Sequence, residues 1–159
     1  MKPNNKFDEL KSIISELREK CPWDKKQTFS SLRRLTVEEV YELSEEIINK
    51  KHSGIEEEVG DLLLHVMLYS QIGEEHNKFD IYSIIEKLIS KLKRRHPHIY
   101  ENKQDLTAEE VESNWEKIKK TEKNIETTLG NIPKSIPPII KAMRIDRKST
   151  RLNSSHQWR

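Results

Sequence analysis

Glycine, cysteine and long apolar runs are scarce in this sequence of 159 residues, and each shortage excludes a class of protein. There are only 4 glycines where average usage would give about eleven, which argues against a β-sandwich, a β-barrel or a dinucleotide-binding α/β domain. The single cysteine, Cys21, allows no internal disulfide bond, so we expect a cytoplasmic protein. No apolar run reaches the roughly 18 residues of a transmembrane helix, and the N-terminus lacks the apolar segment of a signal peptide.

Charged residues are abundant instead, at 35% of the chain against about 25% in an average soluble domain. Leucine and isoleucine recur among them at helical spacing, which predicts an all-α bundle of about five helices. The expected helices run from Phe7 to about Lys20, Thr36 to Asn49, Ser53 to about His76, Ile81 to Arg95, and Thr107 to about Lys123.

Local signals support these helices. Ser53 with Glu56 and Thr107 with Glu110 have the spacing of capping boxes, and Asp80 can cap the fourth helix. The stretch 62–69 is apolar on nearly every side, which predicts a central, buried helix.

The charges are segregated along the chain although they nearly cancel, with 29 Lys and Arg against 27 Asp and Glu. A net charge of +2 gives no general attraction to nucleic acid, so no nucleic-acid partner is expected. Residues 38–61 are mainly acidic, whereas residues 87–96 contain bases and no acid. An acidic region beside a basic one suggests a site for cations and phosphates together.

Four acids provide the sharpest candidate site: Glu39, Glu42, Glu58 and Asp61. Each pair is three residues apart and shares one helical face, so two antiparallel helices could bring all four carboxylates together. Such a cluster is unfavourable without cations between the groups, and oxygen ligands favour Mg²⁺ or Mn²⁺ over Zn²⁺. The ordinary alternative is a solvated helix face, or for Glu39 a capping box with Thr36. Gly60, inside the third helix, suggests close approach of another helix or a ligand.

Basic and aromatic residues provide the counterpart for phosphates. Lys91 and Arg95 are four residues apart and could clamp phosphate oxygens, while Trp115 and Lys119 have the same spacing. Trp115 could stack on a base, although it could equally be a core anchor. His65 is expected to be a core histidine with its hydrogen bonds satisfied.

Taken in order, these motifs resemble the MazG family of nucleoside triphosphate pyrophosphohydrolases, within the all-α NTP pyrophosphatase superfamily. The resemblance covers about residues 7–145 and is carried by Cys21-Pro-Trp-Asp24, Gln27-Thr28, Glu38-Glu-Val-Tyr-Glu42, Glu58-Val-Gly-Asp-Leu-Leu64, Lys91-Leu-Lys-Arg-Arg-His-Pro-His98 and Trp115-Glu-Lys-Ile-Lys119.

The resemblance implies Mg²⁺-dependent hydrolysis of an NTP to NMP and pyrophosphate, serving nucleotide-pool cleaning. It implies a MazG-like helical bundle whose four-helix core is completed in a homodimer. It places the metal ligands on the four acids named above and the substrate contacts on Lys91, Arg95, Trp115 and Lys119. Glu38 or Glu39 is the expected acceptor of the proton from the attacking water.

The resemblance also predicts the domain organisation. Residues 1–125 form the MazG-like domain, residues 126–145 resemble the linker into a second domain, and residues 146–159 no longer resemble the family. We expect this tail to be disordered and foreign to the protein. In two-domain members the second domain is held to carry the main activity, so a low-activity dimerisation or regulatory repeat remains the alternative function. Hydrolysis of phosphoribosyl-ATP or dUTP also stays open.

Overall fold

A computed structural model describes residues 5–122, 136–143, 145 and 146. The described residues form helices and no strand, which confirms the all-α prediction. The helices are α1 (Lys6–Lys20), α2 (Pro22–Lys25), α3 (Phe29–Ile48), α4 (His52–Glu75), α5 (Ile81–Arg95), α6 (Pro97–Tyr100) and α7 (Ala108–Glu122). Two of these, α2 and α6, are four-residue helices beyond the five expected. Residues 138–143 are also helical, whereas most of the predicted linker and residues 147–159 lie outside the described part.

The chain divides into two compact units, residues 1–89 and residues 90–159. The core of the first unit is built by α1, α3, α4 and the start of α5. Its buried apolar residues are Ile14, Leu32, Met67, Leu68, Ile72 and Ile81. Half of them lie on α4, which packs against both α1 and α3 and is therefore central, as predicted.

Helix α4 is less completely buried than its sequence predicts. Met67, Leu68 and Ile72 face the core, but Leu63 is 44% exposed and Val66 is also exposed. The expectation that stretch 62–69 is buried on all sides is therefore wrong for this single chain. An apolar strip of α4 lies on the surface instead.

Helix α3 begins at Phe29, seven residues before the predicted start. Thr28 caps it: the Ser31 amide donates to Thr28 Oγ1 at 3.1 Å, and the Thr28 amide donates to Ser31 Oγ at 2.9 Å. The Thr36 hydroxyl, in mid-helix, donates to the Leu32 carbonyl at 2.9 Å and accepts from the Tyr69 hydroxyl at 2.8 Å. The alternative that Thr36 and Glu39 form a capping box is therefore wrong, and Glu39 is available for another role.

Of the other three predicted helix caps, one is not formed and two are confirmed. Helix α4 begins after Lys51 with no side-chain cap, so the box of Ser53 and Glu56 is not formed. The Ser83 amide donates to Asp80 Oδ1 at 2.7 Å, which confirms the cap of α5. The second unit contains the predicted box at the start of α7, where the Thr107 amide donates to Glu110 Oε2 at 2.9 Å.

Candidate functional site

Three of the predicted carboxylates converge in the first unit. Glu39 on α3 and Glu58 and Asp61 on α4 each present a carboxylate oxygen, and these atoms lie within 4.8 Å of one another. The arrangement arises because α3 and α4 pack together after the short turn at 49–51, and the spacing of three residues puts Glu58 and Asp61 on one face of α4.

The remaining two acids act on this cluster through their charge. Glu42 is not among the three converging groups, but its charge is the largest coulombic contribution raising the pKa of Glu58, after burial. Glu38 is exposed and contributes a smaller rise to the pKa of Glu39. For Glu39 the causes are burial first, then the charges of Asp61 and Glu42. Burial and mutual repulsion thus make the ionised state of both groups unfavourable.

One carboxylate oxygen of Glu58 lacks a binding partner within the cluster. Glu58 Oε2 is buried, and within the described part of the chain it has no hydrogen-bond partner. A buried carboxylate oxygen without a partner is unfavourable, and neighbouring carboxylates increase the penalty. A hard divalent cation would satisfy that oxygen and offset the repulsion, so the donor set fits Mg²⁺ or Mn²⁺.

His65 lies one helical turn after Asp61 and is buried. The predicted core position is therefore confirmed, but Nδ1 has no hydrogen-bond partner among the described residues, so the prediction of satisfied hydrogen bonds is wrong. Burial lowers the pKa of His65, and the charge of Asp61 only partly opposes this effect. The imidazole is therefore held toward its neutral form.

The second unit contains the predicted phosphate-binding residues. Lys91 is exposed, whereas the side chain of Arg95 is only 13% exposed and pairs with Glu122 at 2.6 Å. Arg94 pairs with the same carboxylate at 2.6 Å. The hydrogen bond from Arg95, followed by that from Arg94, lowers the pKa of Glu122 to about 2. The carboxylate is therefore ionised at any physiological pH.

Aromatic rings lie beside these bases within the second unit. Trp115 is 40% exposed, so the alternative that it is a core anchor is wrong. Its ring lies 6.3 Å from that of His96, which in turn lies 5.8 Å from the ring of His98. His96 Nδ1 donates to the Leu92 carbonyl at 2.7 Å, because a carbonyl can only accept. Lys119 pairs with Glu116 at 3.4 Å.

Sequence reasoning missed Glu122, and its prediction for Gly60 is only partly tested. Glu122 lies 27 residues after Arg95, and no local spacing marks a pair so far apart. Among the described residues no atom lies within 4 Å of the position that a Cβ of residue 60 would take, so no described helix of this chain approaches Gly60 closely. Approach of a ligand to Gly60 stays a prediction.

Comparisons with known proteins agree with this arrangement. A family model described as the MazG nucleotide pyrophosphohydrolase domain matches residues 27–100, a range that contains the acidic cluster, Lys91 and Arg95. The nucleoside triphosphate pyrophosphohydrolase of Escherichia coli K12 is 35% identical over 97% of this chain and 60% of its own length. The nucleoside triphosphate pyrophosphohydrolase/pyrophosphatase MazG of Thermotoga maritima is 38% identical over 92% of this chain and 57% of its own length.

A protein of Bacillus subtilis described as uncharacterized protein YabN is 42% identical over 90% of this chain but only 30% of its own length. This chain thus spans less than two thirds of the length of these relatives. A crystal structure of a mazG-related protein from Thermotoga maritima superposes with a TM-score of 0.62 at 28% identity, covering 71% of this chain and 98% of that one. By domain, by relatives and by fold, the chain belongs to the MazG family.

Proposed function

We propose that this protein is a Mg²⁺-dependent nucleoside triphosphate pyrophosphohydrolase, converting an NTP and water into NMP and pyrophosphate. The observation that carries the proposal is the convergence of the carboxylates of Glu39, Glu58 and Asp61, since Glu58 also has a buried oxygen without a hydrogen-bond partner among the described residues. The names of the relatives in Escherichia coli and Thermotoga maritima support the reaction type, a hydrolysis of a phosphoric anhydride.

Glu39, Glu42, Glu58 and Asp61 would hold the metal, Mg²⁺ or in its place Mn²⁺. When bound, such an ion neutralises phosphate oxygens and makes a bound water more acidic. Glu39 or the exposed Glu38 accepts the proton of the attacking water. The raised pKa of Glu39 suits this role because a carboxylate that binds a proton more tightly is a better base.

The bases and the tryptophan of the second unit are the proposed substrate contacts. Lys91, Arg95 and Lys119 would stabilise the negative charge that develops as the bond between the α and β phosphates breaks. The half-exposed ring of Trp115 offers a stacking surface to a nucleobase, and stacking tolerates any base. A broad NTP range, useful for removing aberrant nucleotides, is consistent with that mode of contact.

Turnover is tested by incubating the protein with a panel of NTPs, with Mg²⁺ and with EDTA. The expected products are NMP and pyrophosphate in equal amounts, formed only with the metal. Release of orthophosphate alone would contradict cleavage between the α and β phosphates. Phosphoribosyl-ATP and dUTP belong in the same panel, because hydrolysis of either one alone would favour a neighbouring activity of the superfamily.

We further propose a homodimer that completes a four-helix core. Large apolar side chains stay exposed along α3 and α4 at helical spacing; they are Val37, Val40, Tyr41, Val59, Leu63 and Val66. A monomer rarely leaves so many apolar side chains exposed on two adjacent helices, and a second copy would cover them. We place the protein in the cytoplasm, as its single cysteine suggests. No described helix has the length and apolar character needed to cross a bilayer.

One substitution tests the proposed dimer interface. Leu63→Glu places a charge in the centre of the proposed interface and should convert the dimer into a monomer, as measured by size-exclusion chromatography with light scattering. Ser12→Glu, at an exposed position of α1, is the matched control and should remain dimeric. A monomeric parent protein, or a Leu63→Glu variant that is still dimeric, would contradict the interface.

The second candidate function is a dimerisation or regulatory repeat with little activity. The apolar surface of α3 and α4 favours it, because such a surface serves association whether or not the acidic cluster is active. It predicts a folded dimer that hydrolyses NTPs no faster than a variant in which the four proposed metal ligands are replaced by amides.

A further inference from the structure

Glu122 of α7 lies beside the basic end of α5. Its carboxylate is held by two arginines of α5, Arg94 and Arg95. Oε1 accepts from Arg94 Nε at 2.6 Å, while Oε2 accepts from Arg95 Nε at 3.1 Å and from Arg95 Nη2 at 2.6 Å. The carboxylate of Glu122 therefore bridges the two guanidinium groups of α5.

The contact uses the edge of Arg95 that a phosphate would need. Nε and Nη2 form one of the two edges through which a guanidinium binds an oxyanion with a pair of hydrogen bonds. One carboxylate oxygen now accepts from both nitrogens of that edge, so an oxyanion cannot bind the same edge at the same time. The side chains of Arg95 and Glu122 are only 13% and 16% exposed, so the carboxylate also shields the guanidinium from solvent.

The neighbouring base differs from Arg95 in this respect. Lys91 lies one helical turn earlier on α5, is exposed, and makes no ion pair within the part of the chain that the structure describes. An entering phosphate can therefore bind Lys91 directly, but it reaches this edge of Arg95 only by displacing Glu122.

We propose that Glu122 is an internal competitor for the phosphate-binding edge of Arg95, so that polyphosphate binds fully only after the Glu122 carboxylate has moved away. The proposal rests on the proposed role of Arg95 as a phosphate ligand. It assigns to Glu122 a control of substrate affinity. The alternative is that Glu122 is a positioning residue that holds Arg95 ready for phosphate. Removing the charge of Glu122 should strengthen pyrophosphate binding in the first case and weaken it in the second.

The test measures binding of inorganic pyrophosphate to the full chain by isothermal titration calorimetry, without divalent cations. Glu122→Gln keeps the shape of the side chain but removes its charge, and it should lower the dissociation constant about fivefold, because pyrophosphate no longer competes with a charged group for Arg95. Glu122→Asp keeps the charge on a shorter side chain and should bind with an affinity between those of the parent protein and the Gln variant.

Two controls make the result specific. Glu109→Gln removes the same charge from the exposed first turn of α7 and should leave pyrophosphate affinity unchanged. Combining Arg95→Ala with Glu122→Gln should abolish the gain. Unchanged or weaker binding in Glu122→Gln, or no pyrophosphate binding by either protein, would overturn the proposal. Because this readout needs neither Mg²⁺ nor turnover, failure of the proposed activity in the NTP assay would be seen separately.

Discussion

Replacing Asp61 by Asn is expected to lower kcat/KM for NTP hydrolysis by about 10²–10³-fold, the range seen when one preorganised electrostatic group is removed from an active site. Asp61 is one of three carboxylates whose oxygens lie within 4.8 Å of one another. The amide keeps the shape of the side chain but removes the negative charge that a divalent cation requires. The remaining carboxylates would then bind the proposed metal less tightly.

Steady-state kinetics at the Mg²⁺ concentration that just saturates the parent protein checks this expectation. The matched control is Glu45→Gln, which removes a charge from an exposed acid of α3 outside the cluster and should retain parental rates. If Asp61→Asn hydrolyses NTPs as fast as Glu45→Gln, Asp61 does not belong to the site.

Thermal unfolding provides a readout of the same site that does not depend on turnover. Mg²⁺ at a hundred times its dissociation constant should stabilise the parent protein by about 2.7 kcal/mol, because the ion binds the folded state alone. Asp61→Asn should lose this stabilisation. Without metal it should unfold no earlier than the parent protein, because one of the repelling charges is gone. A variant that is less stable than the parent in EDTA would point to a structural role for Asp61 instead.

The acidic cluster could be predicted from the sequence because its determinants are local. A spacing of three residues on a helix puts two side chains on one face, and the short turn at 49–51 brings α3 beside α4. The apolar spacing that predicts α4 and α5 is local in the same way. The spacing also predicts that Glu42 joins the other three acids, but only three carboxylates meet. Whether Glu42 reaches the cluster depends on the rotation of α3 about its axis, and residue spacing does not determine that rotation.

Features that depend on distant residues could not be predicted. The capping distance between Thr36 and Glu39 favours a helix start at Thr36, whereas in the structure Ser31 completes a box with Thr28. Both pairs are compatible with the sequence, and packing of Leu32 in the core selects the earlier start. The pairing of Glu122 with Arg95 is equally non-local, so nothing in the sequence near Arg95 indicates that its binding edge is occupied.

Arg18 is another residue whose role appears only in the fold, and replacing it by Ala is expected to destabilise the protein by about 2 kcal/mol. Its guanidinium binds the carboxylate of Glu75 through Nε, at 2.8 Å, and through Nη2, and it donates from Nη1 to the carbonyls of Asp24 and Gln27. The Arg18 side chain is 10% exposed and that of Glu75 is 37% exposed. The expected loss of stability is smaller than the roughly 3–5 kcal/mol typical of a broken buried pair, because solvent partly screens the charge of Glu75.

The contribution of this pair depends on pH in a defined direction. Hydrogen bonds from Arg18 lower the pKa of Glu75 in the folded protein below its ordinary value of 4.5. A carboxyl group with a depressed folded-state pKa stabilises the protein fully above its unfolded-state pKa, and this contribution is lost as the pH falls through the folded-state value. The parent protein and Arg18→Ala should therefore differ in stability at pH 7, and the difference should shrink at pH values below 4.5.

Urea unfolding at a series of pH values measures both effects at once. Lys20→Ala on the same helix is the matched control, because the ion pair of Lys20 with Glu16 has both side chains largely exposed. Its loss should leave the free energy of unfolding nearly unchanged. If both substitutions have the same small effect, the hydrogen bonds of Arg18 to Glu75 and to the two carbonyls do not hold α1, α2 and α4 together. If the effect of Arg18→Ala is large but independent of pH, the carbonyl bonds rather than the Glu75 pair supply the stability.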